Sequence, residues 1–178
     1  LGFSKEQLDD PDASSLDKLL KEVKEVLAKY ECDVPVIAAG EIACREDIEV
    51  YLEMGYDGVQ IGTRFIATEE AGIDRKSKEV FINAKDDDVI IIKSPVGLPV
   101  RVLKTPLVER VLSGNREQFS CPYRCLRTCN PRKAPFCIAN ALLATCSGDT
   151  ENGLYMTGCN VESLKEITTV KDFFDTLK

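Results

Sequence analysis

The sequence has 178 residues, 44% of them apolar, which suits one domain or part of a larger one. A net charge of -7 disfavours nucleic acid and anionic membrane surfaces as partners. Histidine is absent, so the commonest general base and the commonest metal ligand are missing from these residues.

No apolar run is long enough to span a bilayer, and no secretory pattern opens the chain, so a cytoplasmic location is expected. The chain starts at Leu1 with no initiator Met, as it would after processing, at an artificial boundary or with an upstream half missing. Ser14-Ser15-Leu16-Asp17 has the form of a capping box. After it Leu16, Leu19, Leu20, Val23, Leu27 and Tyr30 recur at helical spacing and predict a core-facing stripe. Val34 to Ala39 is too short for a stable helix and reads as a strand buried on both faces, ended by Gly40. Ile48, Tyr51, Leu52 and Gly55 predict a second helix with a glycine near its C-terminus. Asp57-Gly58 is a turn, Val59 to Ile61 a second strand, and Gly62-Thr63 caps a helix that begins near Arg64. The order helix, strand, helix, strand, helix implies parallel strands with helical crossovers, an α/β fold.

Beyond Lys85 the texture changes. Asp86-Asp87-Asp88 reads as a solvated turn, Val89 to Ile92 and Val100 to Leu103 as two strands joined by a loop, and Pro106 to Leu112 as a short helix. Residues 113 to 135 read as irregular, Phe136 to Thr145 as helical, and 161 to 178 as a terminal helix.

The stretch VPVIAAGEIACREDIEVYLEMGYDGVQIGTRFI, residues 34 to 66, is the most informative. Two apolar runs each break at a glycine, with an amphipathic helix between them. Glycine lets backbone N–H groups approach an oxygen-rich dianion closely, and helix N-termini add favourable dipole ends. Gly40 and Gly62 stand where such donors are needed, and Thr63 adds a hydroxyl. In (β/α)8 barrels the loops after the last two strands often hold a phosphate. The plain alternative is that any α/β unit uses glycine at strand-to-helix turns. A carboxylate at Glu41 repels a phosphate unless it turns outward and leaves only its N–H in the site.

VPVIAAGEI, DGVQIGTRF and SPVGLPVR, with NGLYMTGCN further on, resemble the C-terminal half of the nitronate monooxygenase family, formerly the 2-nitropropane dioxygenases. That family includes the flavin-dependent enoyl-acyl-carrier-protein reductases. The resemblance implies the C-terminal part of an FMN-binding TIM (β/α)8 barrel with a small Cys-rich α+β segment on the substrate side. Residues 1–85 would be barrel βα units with the phosphate loops, 86–160 the insertion, and 161–178 a C-terminal helix. It further implies that Ala39, Gly40, Glu41 and Ile42 line the FMN phosphate in one loop and Gly62 and Thr63 in the next, with Tyr155 approaching the flavin ring; hydrophobic packing explains Tyr155 equally well. The family usually has a second glycine where this chain has Glu41. Its catalytic histidine lies just upstream of a stretch resembling Leu1-Gly2-Phe3, so no catalytic residue is assigned here. Implied partners are a small-molecule substrate, the upstream half of the barrel and a second copy in a homodimer.

Cys121, Cys125, Cys129 and Cys137 form a CxxxCxxxC…C array. Three-residue gaps suit one helical face, so the thiolates are candidates for zinc or an iron–sulfur cluster. The alternative is a set of buried thiols acting as small hydrophobes, the role also expected of Cys32, Cys44, Cys146 and Cys159. Lys93 and Arg101 are substrate-site candidates that would steady an anionic nitronate; a solvated role is the alternative. Arg124, Arg127, Arg132 and Lys133 make a basic patch that would suit a phosphopantetheine carrier; a nitronate enzyme has no use for it, and surface solubility is the alternative. Three functions follow. The first is an FMN-dependent nitronate monooxygenase that oxidises alkyl nitronates with oxygen. The second is an FMN-dependent enoyl-carrier-protein reductase. The third is a metal-stapled interaction module without catalysis.

Overall fold

Two adjacent parallel strands position everything that follows. The computed structural model describes residues 15–40, 42–121 and 124–178. Strands β1 (Ile37–Ala39) and β2 (Gly58–Gln60) run parallel with Ala38 opposite Val59. Asp57 pins this register: its N–H donates to the Val36 carbonyl at 2.9 Å, and its carboxylate accepts from the Val36 N–H at 2.7 Å. Helix α1 (Leu16–Lys29) precedes β1, α2 (Arg45–Met54) connects the strands, and α3 (Thr63–Ile66) follows β2. This is the helix–strand alternation read from the sequence. Helix α2 ends at Gly55 with φ +100°, a left-handed conformation that suits glycine. Lys24 Nζ of α1 donates to the Gly55 carbonyl at 2.8 Å and ties the two helices together.

Three expectations for this unit need correction. The N-cap is Ser15, one residue on from the first serine of the expected capping box, and its side chain makes no capping bond; the Asp17 carboxylate accepts from Lys21 Nζ at 2.7 Å. Ser14 lies outside the described residues. The α1 stripe is only partly inside. Leu20 packs with Ala38, Ile42 and Tyr56, whereas Tyr30 is 69% exposed. Strand β1 is buried on one face rather than two, with Ala38 inside and Ile37 49% exposed. Successive strand residues point to opposite faces, and among the described residues this sheet has two strands, with no cover over the outer face.

The second half is built on a hairpin. Helix α4 (Arg75–Asn83) is capped by Asp74, whose carboxylate accepts from the Lys76 N–H at 2.8 Å. A 3-10 turn over Asp86–Asp88 leads into β3 (Val89–Lys93), which pairs antiparallel with β4 (Pro99–Leu103), Ile91 opposite Arg101. Helix α5 (Pro106–Leu112) opens with proline at its first turn, where the missing N–H costs nothing. Helix α6 (Ile138–Ser147) starts two residues later than expected, with Cys137 still extended as its N-cap and Phe136 packed in the core. Strand β4 divides two cores by its alternation. Val100 and Val102 face Leu107, Val108 and Phe136, whereas Leu103 faces Phe81, Tyr155 and Val161.

The expected terminal helix over 161–178 is broken. A 3-10 turn spans Val161–Ser163, Thr168 then bridges Thr68 in parallel, and α7 (Val170–Thr176) is the only α-helical part. The run Ile167-Thr168-Thr169-Val170 is β-branched and favours extended backbone. Thr169 then starts α7 by accepting the Asp172 N–H on its hydroxyl at 3.0 Å. Among the described residues no helix is long and apolar enough to cross a membrane.

Candidate cofactor site

Because β1 and β2 are parallel neighbours, the loops after them leave the sheet at the same end. Gly40 follows β1 with φ +111°, a conformation that a side chain rarely adopts. Gly62 is the N-cap of α3, after β2. Both glycines, with Ile42 and Thr63, line one cavity of about 50 Å³. Whole-ligand pockets run to about 300–1,000 Å³, so this cavity suits one terminal group of a ligand, such as a phosphate. A Cβ on Gly40 or Gly62 would meet nothing within 4 Å, which leaves the backbone of both turns open to approach.

A third wall comes from far along the chain. Gly158, Asn160 and Ser163 line the same cavity. The Gly158 N–H donates to Thr63 Oγ1 at 3.1 Å, which uses the hydroxyl as an acceptor and leaves its own proton to donate. The first loop is braced from below. The Asp47 carboxylate accepts from the Ala43 N–H at 2.8 Å and the Cys44 N–H at 3.2 Å. Burial works against the charged Asp47, yet these donors and the Cys44 thiol outweigh it and hold its carboxyl below the ordinary range.

Arg64 also lines the cavity. Its Nη2 donates to Thr168 Oγ1 at 3.1 Å, and its guanidinium lies 5.3 Å from the centre of the Phe173 ring. Its Nη1 is buried without a hydrogen-bond partner, as is Thr157 Oγ1 beside Gly158. Arg64 is the one charged side chain among the described residues of the lining, and a cation in the wall suits an anionic guest. The residues present therefore fit a phosphate group.

Sequence reasoning located part of this site. Gly40, Ile42, Gly62 and Thr63 come together as expected. Glu41 lies outside the described residues. Ala39 ends β1 without lining the cavity. Tyr155 is in the core: its side chain is fully buried, bonded to Ser77 Oγ at 3.0 Å and packed edge-on against Phe81. Lys93 is exposed at the end of β3 and Arg101 half-buried in β4, and neither lines the cavity. Arg64, Gly158, Asn160 and Ser163 were missed. The second glycine of NGLYMTGCN, Gly158, is visible in the sequence, but no spacing links it to residues 40 or 62.

The cysteine array does not assemble into a metal-ligand set. Among the described residues no group of three or more His, Cys, Asp or Glu side chains is placed to hold a metal. The segment is irregular, so three-residue spacing does not gather thiols on a helical face. Arg116 shapes it instead, donating to the Ala134 carbonyl at 3.0 Å and the Pro131 carbonyl at 2.6 Å. Burial, then the neighbouring thiolate charges of Cys121, Cys125 and Cys137, pushes the Cys129 thiol up. The hydrophobe reading fares no better: Cys125 is exposed and the other three are half-buried. Cys32, Cys44 and Cys146 are also exposed, so core packing is not their role. A larger depression of about 550 Å³, lined by Lys76, Val80, Lys104 and Thr150, shares no residue with the glycine cavity.

Residues 4–178 match the family described as nitronate monooxygenase. A 5-hydroxy-7a-methyl-1-oxo-octahydro-1H-indene-4-carboxyl-CoA dehydrogenase of Mycobacterium tuberculosis is 36% identical over 83 residues, 47% of this chain and 23% of that protein. A probable nitronate monooxygenase of Staphylococcus aureus is 30% identical over 78 residues, 44% of this chain and 22% of that protein. The structure of FabK from Thermotoga maritima superposes with a TM-score of 0.66 at 28% identity, covering 83% of this chain and 44% of FabK. Nitroalkane oxidase from Streptomyces ansochromogenes gives 0.68 at 24% identity over 98% of this chain and 45% of that one, a likeness of fold. The matched part thus spans under half of each solved structure and about a quarter of the curated relatives. The glycine-turn pattern, the shared mixed α/β fold and the match over nearly the whole chain agree: the chain belongs to the nitronate monooxygenase family.

Proposed function

We propose that this chain is the phosphate-holding part of an FMN-dependent oxidoreductase of nitronate monooxygenase type, which oxidises alkyl nitronates with oxygen. The observation that carries the reading is the single cavity shared by Gly40, Gly62 and Gly158. Bound FMN supplies the electron-accepting chemistry. The chain's own part is to bind and orient. Glycine turns leave N–H groups accessible, Thr63 offers a hydroxyl proton, and Arg64 adds positive charge. None of the lining residues among those described is a candidate base, so proton abstraction is not assigned to them.

In this reading residues 1–85 are the last βα units of a TIM barrel, 86–160 a substrate-side insertion and 161–178 a closing segment. The uncovered Ile37 and Tyr30 support an upstream half of the barrel as the neighbour of α1 and β1. The test uses the purified full-length protein. A flavin absorbance spectrum and oxygen consumption with an alkyl nitronate are expected. Failure to take up FMN would leave the non-catalytic interaction module.

A second reading, reduction of an enoyl thioester, has its own support. FabK at 28% identity and the CoA-ester dehydrogenase at 36% are both relatives. The exposed Arg124, Arg127, Arg132 and Lys133 would suit the phosphates of a carrier or CoA. Anaerobic oxidation of NAD(P)H by an enoyl thioester distinguishes this activity from the first.

A further inference from the structure

Among the described residues that line the glycine cavity, Arg64 is the only charged one. Thr168 takes Nη2, and Phe173 takes one face of the guanidinium. Phe173 is itself fixed by an edge-on contact with Phe65, ring centres 5.2 Å apart. The segment that carries Thr168 is anchored twice to the barrel unit. Thr168 bridges Thr68, and the Val170 N–H donates to the Glu70 carboxylate at 3.0 Å. The guanidinium is thus fixed in place, and Nη1 remains buried and unbonded. Burial works against the charged guanidinium and pulls its pKa down, with Glu166 offsetting part of this; among the described residues the two form no ion pair within 4.0 Å.

We propose that Arg64 is the charge partner of the cofactor's phosphate, with Thr168 and Phe173 holding the guanidinium in the cavity wall and Nη1 left without a protein acceptor. The inference rests on the FMN reading above and deepens it: Arg64 makes the site select a phosphorylated flavin over an unphosphorylated one. Guanidinium suits this task because it stays charged when partly buried and presents fixed donors to phosphate oxygens.

The test is titration of the flavin-free full-length protein with FMN and with riboflavin, followed by quenching of flavin fluorescence, in the wild type and in Arg64→Met and Arg64→Lys. Arg64→Met is expected to weaken FMN about 10–100-fold, the worth of a charged hydrogen bond, and to leave riboflavin within about twofold. Raising the salt should weaken FMN in the wild type and have a smaller effect in Arg64→Met. Arg64→Lys keeps the charge and most of the stem. It is expected to retain a preference for FMN, and it reports even where Arg64→Met does not fold. Equal weakening of both flavins, or no change in either, would overturn the proposal, since a purely structural arginine would not discriminate between them. If the wild type takes up neither flavin, the FMN reading itself fails, and the inference with it.

Discussion

The Gly158 N–H donates to Thr63 Oγ1 at 3.1 Å, across 95 residues of sequence. This contact joins the two halves of the chain at the cavity. It places the end of the hairpin unit against the first turn of α3, so a phosphate held there touches three separate segments. Thr63→Val keeps the shape of the side chain and removes the acceptor. It is expected to cost about 1 kcal/mol of stability in denaturant unfolding and to speed amide exchange over 156–164. Thr63→Ser, which keeps the hydroxyl, should do neither.

The two cradle glycines should respond differently to alanine. At Gly40 there is room for a Cβ, but φ is +111°, so Gly40→Ala is strained without being crowded. A loss of about 1–2 kcal/mol is expected. Gly62 has φ -112° and is equally open, so Gly62→Ala should stay within about 0.5 kcal/mol. Thermal denaturation of the two variants side by side checks the contrast.

Tyr155 separates core from site. Its hydroxyl meets Ser77 Oγ, which itself donates to the Thr145 carbonyl at 2.5 Å. Tyr155→Phe is expected to lower stability by about 0.5–1.5 kcal/mol and to leave FMN affinity unchanged. A loss of FMN affinity with stability intact would return Tyr155 to the cofactor.

How far the sequence could reveal the site follows from the range of each signal. Gly40 and Gly62 were legible because each ends an apolar run, a local pattern that chain direction alone converts into adjacency. Gly158 and Arg64 were not, since their place depends on how the hairpin unit and the C-terminal segment pack, and no period or spacing encodes that. Tyr155 differs for a related reason: the resemblance brings its segment to the flavin ring, whereas Phe81 and Ser77, distant in sequence, pack against its side chain here. The α1 stripe was read correctly as a period, but what covers Val23 or Tyr30 is not a property of the helix. The cysteine spacing implied a helical face that proline-rich backbone and the Arg116 bonds do not provide.

Asp47 gives the first loop a pH dependence. Its carboxyl is held below the ordinary range in the folded chain, so it binds fewer protons there than when unfolded. Its contribution is fully present above the unfolded value of about 4 and is lost as pH falls through the lower folded value. Asp47→Asn should cost about 1 kcal/mol at pH 7, through the lost cap, and should flatten the decline in stability below about pH 5. Urea denaturation of both proteins across that range measures the slope.

The most direct measurement is a crystal structure of the full-length protein with FMN bound. The phosphate is expected in the cavity between the turns at Gly40 and Gly62, within hydrogen-bond distance of backbone N–H groups from both, with Gly158 and Arg64 closing the remaining sides. A phosphate that lies elsewhere, or that touches one turn alone, would contradict the shared cradle.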